Sequence, residues 1–446
     1  MRRLALLLAL GACTKKAPEP APPQPERFVG GIQVNEPDHL VWLTKLADAG
    51  FDTVELTVYA TQEDWDSARL RLGGDERAVA AEMRLAKTLG LKVVLILRVA
   101  LDHAYPRNRF LWHGMIHPRD DDLDAWFDRY GEFVDKWARI AAREGADVLG
   151  IASEMSALTN TQPVTTIPDL ERYYLDPTEQ ARSHAAVIDS EELEPRHLAA
   201  AGAGDYVDAA AYLRDQSAAW REWAEITAHL GAPDPIAAIN ARRARLDKKW
   251  RALIERTRRS FPGKLTYAAN FDQYAGVGFW DALDLIGVNA YFPLREGLDP
   301  TDRATLAKGW RRALDGIAAF RRTRKLERHP VLFTELGYRP CLGATSAPWA
   351  SGVFDVLYLG GTPKLVLWPE RPEAPDERAV AVHALADVAP DYEDFFAGVL
   401  YWKLSTQPGH TAIEPFVLVI DDTVADPMRP ALLRFTADAK IGKVRE

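Results

Sequence analysis

From about residue 28 onward the chain alternates two kinds of apolar pattern. Short runs are apolar nearly throughout, and longer stretches repeat apolar residues three or four apart. The first pattern predicts strands covered on both faces, and the second predicts the helices that cover them. Eight runs read as strands: about Val29–Val34, Thr53–Tyr59, Lys92–Val99, Val148–Ala152, Lys264–Asn270, Leu285–Tyr291, the run from Val331 that carries Glu335, and Gly398–Leu404. Helices are predicted at about His39–Ala49, Glu76–Leu89, Leu123–Glu144, Trp250–Arg259, Ala304–Arg324, Arg378–Ala389 and Arg429–Ala437. Strand and helix in regular alternation mark a parallel α/β fold, and eight strands suit one (β/α)8 TIM barrel.

The rhythm breaks after the fourth strand. Residues from about 155 to 248 show no strand pattern and have helical spacing, as at Trp220, Trp223, Ile226 and Leu230. They are predicted to form a helical insertion on the barrel mouth. A basic run within it, Arg242, Arg243, Arg245, Lys248 and Lys249, is expected on a solvated helix face, with Asp247 interleaved. Asp120, Asp121 and Asp122 stand before a helix, where carboxylates meet free N–H groups. Residues 339–373 read as irregular, with one short apolar run at Lys364–Trp368.

The N-terminus differs from the rest. Arg2 and Arg3 precede an apolar run, Leu4 to Ala12, and Cys13 follows. This resembles a bacterial lipoprotein signal, residues 1–13, with Cys13 lipidated. Residues 14–27 are a Pro-rich tether, and residues 28–446 hold the barrel. The expected location is therefore the bacterial cell envelope, at the outer membrane or cell surface, anchored by acyl chains only. Later in the chain no stretch of about 18 apolar residues suggests a spanning helix. Cys341 is then alone and forms no intrachain disulfide. A composition of 47% hydrophobic and 27% charged residues is that of a globular protein. A net charge of -9 argues against nucleic acid as a partner.

Two stretches carry candidate chemistry. Asp147 to Glu154 and Val331 to Tyr338 each contain a buried-strand pattern with a glutamate where the run stops, and Gly337 breaks the chain after Glu335. Barrel enzymes present catalytic groups at such strand ends. Two carboxylates facing each other across one pocket can cleave a glycosidic bond: one protonates the leaving oxygen, and the other attacks the anomeric carbon or activates water. His113 and His117 are four apart, but Gly114 and Pro118 mark a loop, so no metal site is expected. Gly202-Ala203-Gly204 lacks a preceding strand and a third glycine, so no dinucleotide cofactor is expected.

These stretches resemble the clan A glycoside hydrolases, and within them family 113. The matching segments include Gly150 to Glu154, Leu265 to Asn270, Asp284 to Leu294, Phe333 to Tyr338 and Gly398 to Lys403. The resemblance implies a retaining endo-β-glycosidase acting on β-1,4-mannan or glucomannan, without a cofactor, as a monomer. By position, it implies that Glu154 is the acid/base and Glu335 the nucleophile. It further implies that Tyr291 bonds the nucleophile, that Trp402 floors the subsite of the attacked sugar, and that Asn270 and Asn289 bind hydroxyls. Ser153 stands where clan A enzymes commonly have Asn. The loop after the third strand also departs from the family; Arg98, Asp102, His103, Trp112 and His113 lie there, and Trp112 and His113 are taken as sugar contacts. The alternative is a glycan-binding or scaffolding lipoprotein that keeps the barrel without turnover.

Overall fold

The computed structural model describes residues 24–190 and 193–436. The expected signal with Cys13, and most of the tether, lie outside these residues. Eight parallel strands close on themselves: β1 (Phe28–Gln33), β2 (Thr53–Gln62), β3 (Lys92–Leu101), β4 (Val148–Ser153), β5 (Lys264–Asn270), β6 (Ile286–Asn289), β7 (Val331–Leu336) and β8 (Phe396–Ser405). β1 pairs with β8 on one side and β2 on the other, so the ring of strands has no open edge. The chain is the expected (β/α)8 barrel. At Gly30 the backbones of β1 and β2 approach so closely that a Cβ would lie 1.6 Å from the Thr53 carbonyl oxygen. Only glycine fits there.

Alternation along each strand divides the core in two. In β3, Val94 and Ile96 join Phe28, Leu332 and Leu400 inside the barrel, while Val93, Leu95 and Leu97 pack outward. The outer layer is filled by helix residues, among them the fully buried Trp126, Trp137, Trp250 and Trp310. The helices are α1 (His39–Asp48), α2 (Glu76–Thr88), α3 (Leu123–Glu144), α4 (Leu170–Ser190), α5 (Pro195–Ala200), α6 (Ala209–Thr227), α7 (Pro235–Arg258), α8 (Arg303–Thr323), α9 (Pro375–Val388) and α10 (Met428–Leu433). Asp38, Asp208, Asp234 and Asp302 cap α1, α6, α7 and α8 by accepting backbone N–H bonds.

Helix α7 runs through the boundary expected near residue 248. It ends the insertion and also serves as the barrel helix before β5. The basic run upon it is a solvated face only in part: Lys248 is exposed, and Arg245 and Lys249 are half-exposed. Arg242 and Arg243 are buried. Arg242 pairs with Asp120 and donates to the Pro118 carbonyl oxygen at 2.8 Å, and Arg243 donates to the Gln162 carbonyl oxygen at 2.7 Å. The cause is neighbouring chain that supplies the partners a buried cation requires: the loop after β3 for Arg242, and the stretch after β4 for Arg243. Asp120 thus serves Arg242, and α3 begins without a side-chain cap. The stretch expected to be irregular contains an antiparallel hairpin, Phe354–Leu359 with Thr362–Leu367. Its turn is Gly360-Gly361, both at positive φ, as a two-residue hairpin loop demands.

Candidate active site

Glu154 directly follows β4, and Glu335 lies one residue before the end of β7. Strict alternation would send Glu335 outward with Val331 and Phe333, which pack in the outer layer. The ladder slips instead. Val288 pairs with Phe333, and the next residue, Asn289, pairs with Glu335. The extra residue, Thr334, is a bulge, and a bulge re-aims the side chain after it. Its hydroxyl donates to Asn289 Oδ1 at 2.7 Å, which fixes the orientation of that amide. The register also slips between Gly150 and Ser153 and beside Trp402. Each of these strand ends bends where it presents a site residue.

Three donors converge on Glu335. Tyr291 Oη donates to Oε2 at 2.7 Å, Asn289 Nδ2 donates to Oε1 at 2.9 Å, and the Arg98 guanidinium forms an ion pair with Oε1. All four side chains are buried. Arg98 also faces Glu55 at 3.5 Å, and its guanidinium lies 4.8 Å from the centre of the Trp402 ring. Gly337, after Glu335, is a site of close approach. A Cβ there would lie 2.8 Å from the Trp402 carbonyl oxygen and 3.3 Å from the Tyr291 ring.

Glu154 is held differently. Its φ is +52, in the left-handed region, which costs a residue other than glycine about 1–3 kcal/mol. Bonds on either side hold it there. Its N–H donates to the Ala268 carbonyl oxygen at 2.8 Å, and the Met155 N–H donates to Tyr267 Oη at 3.0 Å. The Thr159 hydroxyl lies 2.8 Å from the same Tyr267 oxygen. The Glu154 side chain meets His113 Nε2 at 2.9 Å.

The surroundings shift these groups in opposite directions. Burial acts to raise the Glu154 carboxyl, but the hydrogen bond and charge of His113, with the charge of Arg98, outweigh it and hold the group below the usual range. Burial pushes Glu335 up; Arg98 pulls it down, the charge of Glu154 adds to the push, and the result lies above the usual range. Burial also lifts Glu55, to about 8, against the opposing charge of Arg98. Burial thus favours the neutral form of Glu55, which weakens its claim on the cation of Arg98. The Tyr291 hydroxyl is pushed well up by burial and the charge of Glu335, so it remains a donor.

The structure thus brings Glu154, Glu335, Asn289, Tyr291 and His113 together, with Trp402 joined through Arg98. Asn289 is fully buried, and its side chain is engaged by Glu335 and Thr334. Asn270 sits half-buried at the end of β5, and its Oδ1 accepts from the Phe271 N–H at 3.1 Å. Trp112 is 41% exposed and meets the His113 ring edge-on at 5.1 Å. Arg98 lies within β3, inside the run Lys92–Val99 that the apolar pattern marks as a strand, and not in the loop after it. Its ion pair with Glu335, and Glu55 beside it, are what the sequence reading missed. Their signal was a lone charge inside an apolar run, at an interior-facing position of each strand. Among the described residues no cluster of His, Cys, Asp or Glu could hold a metal ion.

Comparison with known proteins follows this geometry. The model of Glycoside Hydrolase Family 113 matches residues 35–165 and 218–353, more than half of the chain, and skips the segment between. A family 113 β-mannanase from Alicyclobacillus acidocaldarius, solved in complex with ManMIm, is similar over 92% of this chain and 98% of that one, at 19% identity and a TM-score of 0.57. A second structure, of a family 113 β-1,4-mannanase, covers the same shares at 17% identity and a TM-score of 0.56. At such identities the likeness speaks for the fold. No protein of curated function matches the sequence.

Proposed function

The chain belongs to glycoside hydrolase family 113, and from that premise we propose that it is a retaining endo-β-glycosidase of β-1,4-mannan or glucomannan. The observation that carries this reading is the pair of rim carboxylates, with three donors aimed at Glu335 and an imidazole at Glu154.

In this mechanism Glu335 attacks the anomeric carbon while the bond to the leaving oxygen breaks, and Glu154 gives that oxygen its proton. Water then attacks the glycosyl–enzyme ester, Glu154 takes the proton of the water, and Glu335 is released as carboxylate. Position assigns the roles. Glu335 is clamped against the barrel by Arg98 and Tyr291, which orient its oxygens and accept the change of charge as the ester forms. Its raised proton affinity makes the carboxylate the more basic of the two, hence the better nucleophile once ionised. The proton for the leaving oxygen is carried by the Glu154 carboxyl, which His113 Nε2 meets at 2.9 Å. Trp402 floors the subsite of the attacked sugar, and Asn270 and Trp112 contact substrate at its edges. No cofactor or metal enters these steps. Export and an acyl anchor at Cys13 would set the enzyme at the cell envelope, where polymeric glycan is met.

The test is Glu335→Gln against wild type, with reducing ends released from mannan as the readout. A loss of at least about a thousandfold is expected, since the covalent route is removed. Equal rates would end the assignment. The anomer first released, followed by NMR, distinguishes retention from inversion.

A further inference from the structure

His113, the partner of Glu154, stands on the loop after β3, residues 102–122. The regular structure of that loop is three single turns, Pro106–Asn108, His113–Met115 and Asp120–Asp122. Loops of more than about 12–15 residues without helix or strand are uncommon in a compact domain, and they keep one shape only where neighbours supply bonds. Two sets of neighbours do so here. The stretch after β2 is the first. Its Trp65 and Asp66 carbonyl oxygens accept from the His117 and Arg119 N–H groups at 2.8 and 3.0 Å, and its Trp65 N–H donates to Asn108 Oδ1 at 3.0 Å.

The insertion is the second, and it meets the part of the loop that carries His113. Arg107 pairs with Glu222 of α6 at 2.9 Å, besides Asp64 and Asp66. Arg109 donates to Asp205 at 2.7 Å, and its guanidinium lies 4.6 Å from the centre of the Tyr206 ring. The Phe110 ring meets Tyr212 edge-on at 5.1 Å. Two indoles three residues apart on α6 share a face and donate at 2.8 Å to carbonyl oxygens of the loop, Trp220 to Phe110 and Trp223 to Met115. The Trp223 bond falls on the turn His113–Met115 itself, which the Ile116 N–H closes on the His113 carbonyl oxygen at 3.2 Å. These ties differ in worth. Asp205 and Glu222 are more than half exposed, so water weakens their ion pairs. Trp223 is half-buried, and its bond is better shielded.

We propose that the insertion is a buttress for this loop, and that Trp223 is a positioning residue, whose N–H holds the turn that sets His113 against Glu154. The proposal rests on the hydrolase reading above and deepens it. Glu154 is fixed from the barrel, through its N–H to the Ala268 carbonyl oxygen, so release of the turn moves the imidazole and leaves the carboxyl in place. Burial raises that carboxyl, and the bond and charge of His113 bring it below the usual range. The other titratable or charged groups that act on it or feel its charge are Arg98, Tyr267, Asp272, Tyr291 and Glu335. All five belong to barrel strands or the residues just after them, and none to the loop or the insertion. The family model skips residues 166–217, where Asp205, Tyr206 and Tyr212 lie, so part of the buttress is outside what matches the family.

The experiment follows kcat/KM on mannohexaose against pH for wild type, Trp223→Phe, His113→Ala and the two together. Trp223→Phe removes the N–H and keeps a ring. The falling limb at high pH reports the acid of the free enzyme. A carboxylate that loses a bond binds its proton more tightly, so in Trp223→Phe the limb should move up by about half a pH unit. His113→Ala should move it further in the same direction. Adding Trp223→Phe to His113→Ala should move it no more, because the two changes act through one contact. The same shift in both backgrounds, no shift, or a shift downward overturns the proposal. The pair Asp205→Asn/Glu222→Gln, at exposed positions, serves if Trp223→Phe does not fold; a smaller upward shift, absent when His113→Ala is present, is expected, and its absence in both backgrounds counts against the buttress. A second arm follows the ring nitrogens of His113 by NMR, assigned by their loss in His113→Ala; they should move in Trp223→Phe. Movement without hydrolysis by wild type would keep the buttress and end the hydrolase reading. Hydrolysis with the limb and the resonances unmoved would do the reverse.

Discussion

The two sides of the barrel mouth are finished differently. Around Glu335 the groups come from barrel strands or their ends, and they answer one another: Thr334 to Asn289, Asn289 and Tyr291 to Glu335, Arg98 to Glu335. Around Glu154 the partner comes from a loop, and beyond it are polar atoms that no described residue satisfies. A closed ring of strands fixes atoms to within fractions of an ångström, which suits a nucleophile. A helical insertion leaves room beside it.

The comparison can be broken first at Glu154. Glu154→Gln keeps the shape and removes the proton. Hydrolysis of mannan should fall by about 10²–10⁴-fold in kcat, the usual worth of general acid catalysis. An aryl mannoside with a good leaving group should lose much less in its first step, because that oxygen needs no proton. Equal losses on both would mean that Glu154 orients rather than donates. The next effect is at Arg98. Arg98→Met leaves Glu335 with neutral donors only. Losing a charge-assisted bond of about 1.5–3 kcal/mol predicts a fall of about 10–100-fold in kcat with little change in KM. The melting temperature should also drop, since breaking a buried pair strands the other charge. A change in KM alone would move Arg98 from the nucleophile to the substrate.

The fold was legible because its signal is local. Apolar runs of strand length, with helical spacing between them, survive in one sequence without an alignment, and a carboxylate closing such a run is visible at Glu154 and Glu335. What was not legible depends on pairing. The bulge at Thr334 exists only as a register between β6 and β7. Arg242 and Arg243 look solvated on a helical projection until the loop after β3 meets the first and the stretch after β4 meets the second. Glu55 and Arg98 were legible in principle. A charge within Thr-Val-Glu-Leu or Ile-Leu-Arg-Val, on a strand buried on both faces, must have a partner. The Gly360-Gly361 turn was legible too, with apolar runs on each side, and was passed over within a stretch taken as irregular.

The smallest effect tests why Arg98 serves Glu335 alone. Burial raises Glu55 to about 8, from 4.5 in an unfolded chain, with Arg98 opposing. Between those values the folded protein holds one proton that the unfolded chain has released. Stability therefore falls as pH rises through that window, and the contribution is complete only below about 4.5. Glu55→Gln is neutral in both states and lacks this slope. Melting temperatures of variant and wild type should differ least near pH 4.5, with the variant gaining on wild type steadily up to about pH 8. Activity at pH 6 should change by less than about tenfold, since a neutral group replaces a neutral group. A gap that stays constant with pH, or moves the other way, would mean that Glu55 is charged beside Arg98. The guanidinium would then be divided between two carboxylates, and the tight ordering of the Glu335 side would need another cause.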